Sequence, residues 1–382
     1  VTAIAAGYAH SLALTSDGKV TAWGDNSRGQ AIVSGSLEGR TVTAIAAGWD
    51  YSLALTSDGK VTAWGENGYG QATVPGSLDG KTVTAIAAGY AHSLALTSDG
   101  KVTAWGDNSR GQATVPGSLE GRTVTAIAAG LLHSLALTSD GKVTAWGYNH
   151  VGQSNVPGLL EGRTVTAIAG GHFHSLALTS DGKVTAWGYN SDGQSNVPGS
   201  LEGRTVTAIA GGGYHSLALT SDGKVTAWGE NAGGQSNVPG SLEGKTVTAI
   251  AAGYYHSVVI VAPDTPPLIT GQPKDRTVNP GQDATFTATA SGDPAPTEQW
   301  QRRNSDNTTW ANIPGATTST YTLTKATPAD NASRYRAVFT NTAGTAITET
   351  ATLTVTVHRP RPPHHHPCKP HDHHCRPHHH HP

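Results

Sequence analysis

The 382-residue chain carries a formal net charge of −2 with 14% charged residues, which leaves out the basic footprint of a nucleic-acid binder. Its two cysteines, Cys368 and Cys375, lie near the C-terminal end, so the rest of the chain has no disulfide framework or thiolate metal site. No apolar run approaches the ~20 residues of a membrane-spanning helix.

From Val1 the chain repeats. The stretch VTAIAAGYAHSLALTSDGKVTAWGDNSRGQAIVSGSLEGRT returns from Val42, Val83, Val124, Val165 and Val206, with a period of 41 residues. A seventh copy starts at Val247 and breaks off near Val261. Each unit holds three strand candidates, VTAIAA, HSLALT and KVTAW, rich in β-branched residues and separated by Gly-containing turns. A short fourth strand is expected near Thr73–Val74. Asp17-Gly18 reads as a two-residue hairpin turn with both residues at positive φ. That register sets Leu14 opposite Thr21 and Leu12 opposite Trp23, with Ala13, Ala22 and Val20 on the other face. One face is then large and the other small, and neither is charged. A sheet with two apolar faces must be covered on both sides. A ring of such sheets does this, each bulky face on the next small face, and that is a propeller.

The motifs G-x-x-H-S-L-A-L and D-G-K-V-x-A-W-G-x-N-x-x-G-Q resemble the repeat of the regulator of chromosome condensation family over residues 1–261. The resemblance implies a seven-bladed propeller. The last copy lacks the third strand, so roughly 26 residues upstream of Val1 are expected to complete that blade in the parent protein. The 41-residue period looks like the compact arrays of bacterial members.

The units differ chiefly at two places. One is the pair after Ala6 and its equivalents: Tyr8-Ala9, Trp49-Asp50, Tyr90-Ala91, Leu131-Leu132, His172-Phe173, Gly213-Tyr214 and Tyr254-Tyr255. The other is the loop after the third strand, which carries Asp25 and Arg28, Glu66 and Tyr69, Asp107 and Arg110, Tyr148 and His150, Tyr189 and Asp192, and Glu230. In an up-down-up meander both lie on one face, opposite the constant Asp-Gly turns. Aromatic side chains dominate binding hot spots. The candidate ligand-binding residues on this variable rim are therefore Tyr8, Trp49, Tyr69, Tyr90, Leu131, Tyr148, His172, Phe173, Tyr189, Tyr214, Tyr254 and Tyr255. The alternative is drift at exposed loop positions. His10, His92, His133, His174, His215 and His256, with Tyr51 in the remaining unit, are expected to bond backbone within their own blades. Trp23 and its copies are expected in the core, and the Asn26 and Gln30 amides are expected to close the loop.

Catalysis requires residues that break the repeat's symmetry. No nucleophile elbow, phosphate loop or dinucleotide fingerprint is present. The nuclear member of the family promotes nucleotide exchange on a small GTPase, an activity the resemblance alone implies. The reading is a non-enzyme.

Residues 262–268, APDTPPL, read as a Pro-rich linker. Residues 269–357 become Thr-rich and alternating, and resemble an immunoglobulin-like sandwich. That resemblance implies a buried Trp300, Tyr335 as a tyrosine corner, and small Ala288 and Ala337 where antibody-type domains place a disulfide. Residues 358–382 hold eleven of the nineteen histidines among prolines and charges, which predicts disorder. His364, His365, His366, Cys368, His371, His373, His374 and Cys375 are the candidate metal ligands there, suited to weak Zn, Ni or Cu binding. No other cofactor is expected.

The chain thus reads as all-β: a seven-bladed propeller, a sandwich and a tail. The expected function is an extracellular or cell-surface binding or adhesion scaffold, monomeric, for a protein or polysaccharide partner. Metal capture by the tail is the alternative, and nucleotide exchange is a third.

Overall fold

The computed structural model describes residues 1–306 and 308–356. It divides into two units, Val1–Pro263 and the residues from Asp264 onward. In the first, each of six repeats forms a three-stranded antiparallel meander, and the seventh forms a two-stranded sheet, Val247–Ala252 with Ser257–Val261. In place of the expected fourth strand there is a short 3₁₀ turn such as Gly76–Leu78, whose Leu78 is buried.

The hairpin register differs from the expected one. Leu14 pairs with Val20, Leu12 with Ala22 and Ser11 with Trp23. The connection has three residues, Ser16 to Gly18, closed by Thr15 N–H donating to Lys19 O at 2.9 Å and Gly18 N–H to Thr15 O at 3.0 Å. Only Gly18 takes positive φ, at 78°, so the Asp-Gly pair makes a three-residue loop with a left-handed glycine instead of a two-residue mirror turn. Because side chains alternate, this one-residue shift carries Trp23 onto the Ala13 face. The Gly18 carbonyl also accepts from Val42 N–H at 3.0 Å, tying each turn to the start of the next blade.

Large-on-small packing then follows. Leu94, Leu96 and Leu119 of blade three enclose Ala136 and Trp146 of blade four. The other pairs of neighbouring sheets in blades one to six repeat this pattern. Trp64, Trp105, Trp146, Trp187 and Trp228 are core residues as expected, but Trp23 is 44% exposed.

The histidines bond between blades and not within them. His10 Nε2 meets Ser52 Oγ of the next blade at 3.0 Å, and His92–Ser134, His133–Ser175, His174–Ser216 and His215–Ser257 repeat the contact. His256 reaches Ser11 at 2.9 Å and closes the circle. The Ser52 hydroxyl donates to Gln30 O at 3.0 Å, and Trp64 Nε1–H donates to the same carbonyl at 2.9 Å. With its proton so committed, the serine accepts from His Nε2–H, which sets the neutral tautomer. Tyr51 keeps the bridge by another route, donating to His92 O at 2.5 Å and accepting from Ser93 Oγ at 3.0 Å. The glycine three residues before each ring is required by close approach, since a Cβ at Gly89 would collide with the His92 ring and the Gly130 carbonyl.

The second unit is a sandwich. One sheet runs Arg276–Val278, Ala351–Val355, Arg334–Asn341, Thr297–Arg303, Ala311–Asn312, and Thr265–Gly271 pairs with Thr289–Asp293 while Ala284–Thr287 pairs with Thr320–Leu323. The strand Thr265–Gly271 occupies most of the stretch read as a linker, its prolines tolerated because it pairs on one side. Trp300, Phe286, Tyr335, Ala288 and Ala337 share one core. Tyr335 stacks on Phe286 at 4.5 Å, but its hydroxyl has no hydrogen-bond partner among the described residues, unlike a tyrosine corner.

Buried titratable groups give the two units opposite responses to pH. Burial lowers His92 and His215 to about 4, and His133 and His174 to about 3, from 6.5. Their contribution is complete above pH 6.5 and declines as pH falls toward those values, by about 1.4 kcal/mol per pH unit for each histidine. Burial raises Glu298 in the sandwich from 4.5 to about 7, so that unit weakens as pH rises through this window. Calorimetry should show two transitions with opposite pH slopes between these limits, and Glu298→Gln should flatten only the second. Restoring the repeat with Tyr51→His should leave propeller stability within about 1 kcal/mol of the parent. Tyr51→Phe, which strips a buried bond, should cost about 1–3 kcal/mol in urea unfolding.

Candidate binding site

The two variable segments of each blade are joined at one end of the sheets. Asp25 N–H donates to Ala9 O at 2.8 Å, Glu66 to Asp50 O at 2.9 Å and Tyr148 to Leu132 O at 2.8 Å. The second loop is rigid for a reason written in its sequence. Gln30 Oε1 accepts from Arg28 N–H at 2.8 Å and Asn26 Oδ1 from Ala31 N–H at 3.1 Å, the amide closure expected.

Around the axis the first residue of each pair hydrogen-bonds the neighbouring blade. Trp49 N–H donates to Gly89 O at 3.2 Å, His172 to Gly212 O at 3.0 Å and Tyr254 to Gly7 O at 3.1 Å. This circle sets Tyr8, Trp49, Tyr90, Leu131, His172 and Tyr254 at the lining of an axial pocket of about 220 Å³. The candidate residues therefore do not form only a rim, because half of them converge on the mouth of the ring.

The rings touch. Tyr8 stacks on Trp49 with centroids 3.9 Å apart, and Tyr90 meets Trp49 edge-on at 4.9 Å. Tyr254 contacts Tyr8, Trp49 and His172 at 5.0, 5.1 and 4.8 Å. The second residues continue the network outward. Phe173 stacks on His172 at 4.3 Å and contacts Tyr148 and Tyr189 at 6.0 and 6.4 Å. Tyr214 lies 5.8 Å from Tyr189, and Tyr255 lies 4.2 Å from Tyr254. Tyr69 stands apart at 60% exposure, with no ring contact among the described residues.

Polar groups missing from the aromatic list flank this network. The Arg110 guanidinium sits 5.3 Å from the Tyr148 centroid and His150 stacks on the same ring at 6.1 Å. Gln30 Nε2 donates to Asp25 at 2.7 Å, and Arg28 pairs with Glu66 at 3.3 Å. Burial, reinforced by Asp25, raises the Asp50 carboxyl. Burial lowers His172 to about 4 and raises the Tyr254 hydroxyl, so the mouth is uncharged at neutral pH. The site can stack and exclude water. Asp25, Arg28, Asp50, Glu66, Arg110 and His150 occupy the same variable positions, and that variation was the available signal, whereas Gln30 is constant in all six units.

Among the described residues no group of three or more His, Cys, Asp or Glu is placed to hold a metal ion. The candidate ligands His364, His365, His366, Cys368, His371, His373, His374 and Cys375 lie outside the described residues. No helix among the described residues is long and apolar enough to cross a membrane.

Residues 1–265 match the family model of the RCC1-like domain. The chain belongs to the RCC1-like domain family. Residues 266–341 match an immunoglobulin domain. Among solved structures, this RCC1-like chain is similar to Prp20p from Saccharomyces cerevisiae, described with its binding to Gsp1p and histones. The TM-score is 0.59 at 23% identity, over 68% of this chain and 82% of that one. It is also similar to the CRINKLY WD40 ectodomain of an Arabidopsis thaliana receptor kinase, with a TM-score of 0.55 at 20% identity over 68% and 92% of the two chains. At these identities the likeness is one of fold. In its immunoglobulin-like region the chain is 50% identical over 98 residues to Endoglucanase C from Cellulomonas fimi, a match spanning 26% of this chain and 8% of that relative.

Proposed function

We propose that this protein is a non-enzymatic extracellular binding scaffold. In this reading the loop face of the propeller holds a protein or polysaccharide, and the immunoglobulin-like unit serves as a spacer or adhesive module. The observation that carries it is the continuous ring network from Tyr8 to Tyr255, built on positions that vary while most of the repeat is constant. Drift at exposed loops has no reason to deliver contacting aromatic rings from neighbouring blades. The rings are held by backbone bonds and rigid loops, so little conformational entropy is lost on binding. An extracellular, bacterial setting is supported by the immunoglobulin-like likeness to a Cellulomonas fimi protein named as an endoglucanase. The protein is proposed to act as a monomer. Prp20p shares the fold alone, and its partners are not carried over.

The test is retention of partners from extracellular protein and polysaccharide fractions. The parent is compared with a variant carrying Trp49→Ser, Phe173→Ser, Tyr214→Ser and Tyr255→Ser. A partner held by the parent should be lost at least tenfold by the variant, with the propeller's thermal transition still present, since removing buried aromatic anchors costs about 2 kcal/mol or more each. Equal retention by both proteins, or none by either, would remove the loop face as the binding site.

A further inference from the structure

Residues 265–356 hold seven basic and seven acidic side chains, so the immunoglobulin-like unit is balanced in composition. The outer face of its largest sheet is not. Trp300, Tyr335 and Ala337 point into the core, so Gln301, Arg303, Arg334 and Arg336, at the alternate positions, point outward. The strand register sets them in two rows. Arg334 lies directly opposite Arg303, and Arg336 opposite Gln301. On the far side Gln301 pairs with Asn312 and Arg302 with Ala311, which brings Trp310 beside Arg303. Like charges set directly opposite each other weaken a sheet, so composition alone gives no reason for this arrangement.

Two of these cations are oriented and none is neutralised. The Arg336 guanidinium lies 4.3 Å from the Trp310 ring centroid and that of Arg303 lies 5.2 Å from it. Arg336 Nε–H donates to Gln301 Oε1 at 2.8 Å, and Gln301 Nε2–H donates to Asn312 Oδ1 at 2.9 Å. Among the described residues none of Arg303, Arg334 and Arg336 forms an ion pair, whereas Arg302, on the inner face, pairs with Asp330 at 2.6 Å. Asp306 is exposed in the loop after Arg303 and pairs with none of the three. Burial, reinforced by the Arg303 charge, holds the Arg336 guanidinium below its usual value. Stacking engages the π face of a guanidinium and leaves the N–H donors in its plane available.

We propose that this sheet face is a binding site for an acidic polysaccharide, one whose sugar units carry carboxylates or sulfates. Arg303 and Arg336, oriented by Trp310 and Gln301, take the anionic groups through forked hydrogen bonds, and Arg334 adds a third charge. Asn312 at one end of the rows and Thr352, opposite Arg334, at the other offer polar partners to sugar hydroxyls. An acidic peptide is the poorer fit. Thr297–Arg303 and Arg334–Asn341 are paired on both sides, so they leave no edge for strand addition. The one aromatic ring among the rows, Trp310, is already engaged by the two guanidiniums. The site is independent of the propeller's loop face and gives the second unit a ligand of its own.

The 382-residue protein is titrated with polygalacturonate, dextran sulfate, neutral dextran and poly-glutamate at physiological ionic strength. At least one of the two acidic glycans should bind, which distinguishes carboxylate from sulfate recognition, and dextran should not. Arg303→Gln with Arg336→Gln should weaken that binding roughly tenfold or more, because two charge-assisted contacts are lost. Lys274→Gln with Lys325→Gln removes the same charge elsewhere on the unit and should stay within about twofold of the parent, since distant exposed charges are screened. Trp310→Ala keeps every charge but frees two arginines that must be ordered again on binding, and should weaken it about threefold or more. The sandwich's thermal transition reports that each variant is folded. No binding of either acidic glycan, an equal loss in the lysine variant, or undiminished binding by the arginine or the Trp310 variant would overturn the proposal. So would poly-glutamate binding as tightly as the better glycan, since the face would then belong to an acidic protein.

Discussion

A single buried hydrogen-bonded node governs the propeller. One carbonyl, that of the loop glutamine, receives both a serine hydroxyl and an indole N–H from the following blade, while the histidine of its own blade donates to that serine. The carbonyl comes from the loop, the indole from the third strand, and the histidine and serine from the second strands of neighbouring blades. The node therefore holds only when strands, loop and neighbour are all in register. Large-on-small packing supplies most of the apolar burial, but by itself it would tolerate sliding between sheets. The node removes that freedom, because displaced partners would leave buried polar atoms unsatisfied.

The node also explains how the loop face can vary. Asn26 and Gln30 close their loop through side-chain amides, and the loop is fastened to the first turn by a backbone bond. The side chains of residues 8 and 28 and their equivalents take no part in this closure, whereas Asp25 and Asp107 also accept from the loop glutamine. Aromatic, small and basic groups occupy positions 8 and 28 and their equivalents in blades of one and the same fold. Scaffold and contact surface are separated within a single repeat.

The blades, their number and their apolar faces were legible in the sequence because a constant period and alternating residues translate directly into stacked sheets. The hairpin register was not, since Asp-Gly fits both a two-residue and a three-residue loop, and only the φ of Asp17 decides. The expected fourth strand became a 3₁₀ turn because Leu78 is buried from it. The histidine bridges escaped because one unit, read alone, does not say which unit its ring will face. The same limit hid the split of each variable pair into an axial residue and an outer one. In the sandwich, Trp300 was legible as core. The strand at Thr265–Gly271 was masked by prolines that an edge tolerates.

The closing contacts have a kinetic consequence. Most bonds between blades join residues about one repeat apart, such as His92 with Ser134. The bond from His256 to Ser11 spans 245 positions. Nearest-neighbour stacking can propagate from any blade, but this seam must wait until the whole array is assembled, and its loop-closure entropy is the largest in the ring.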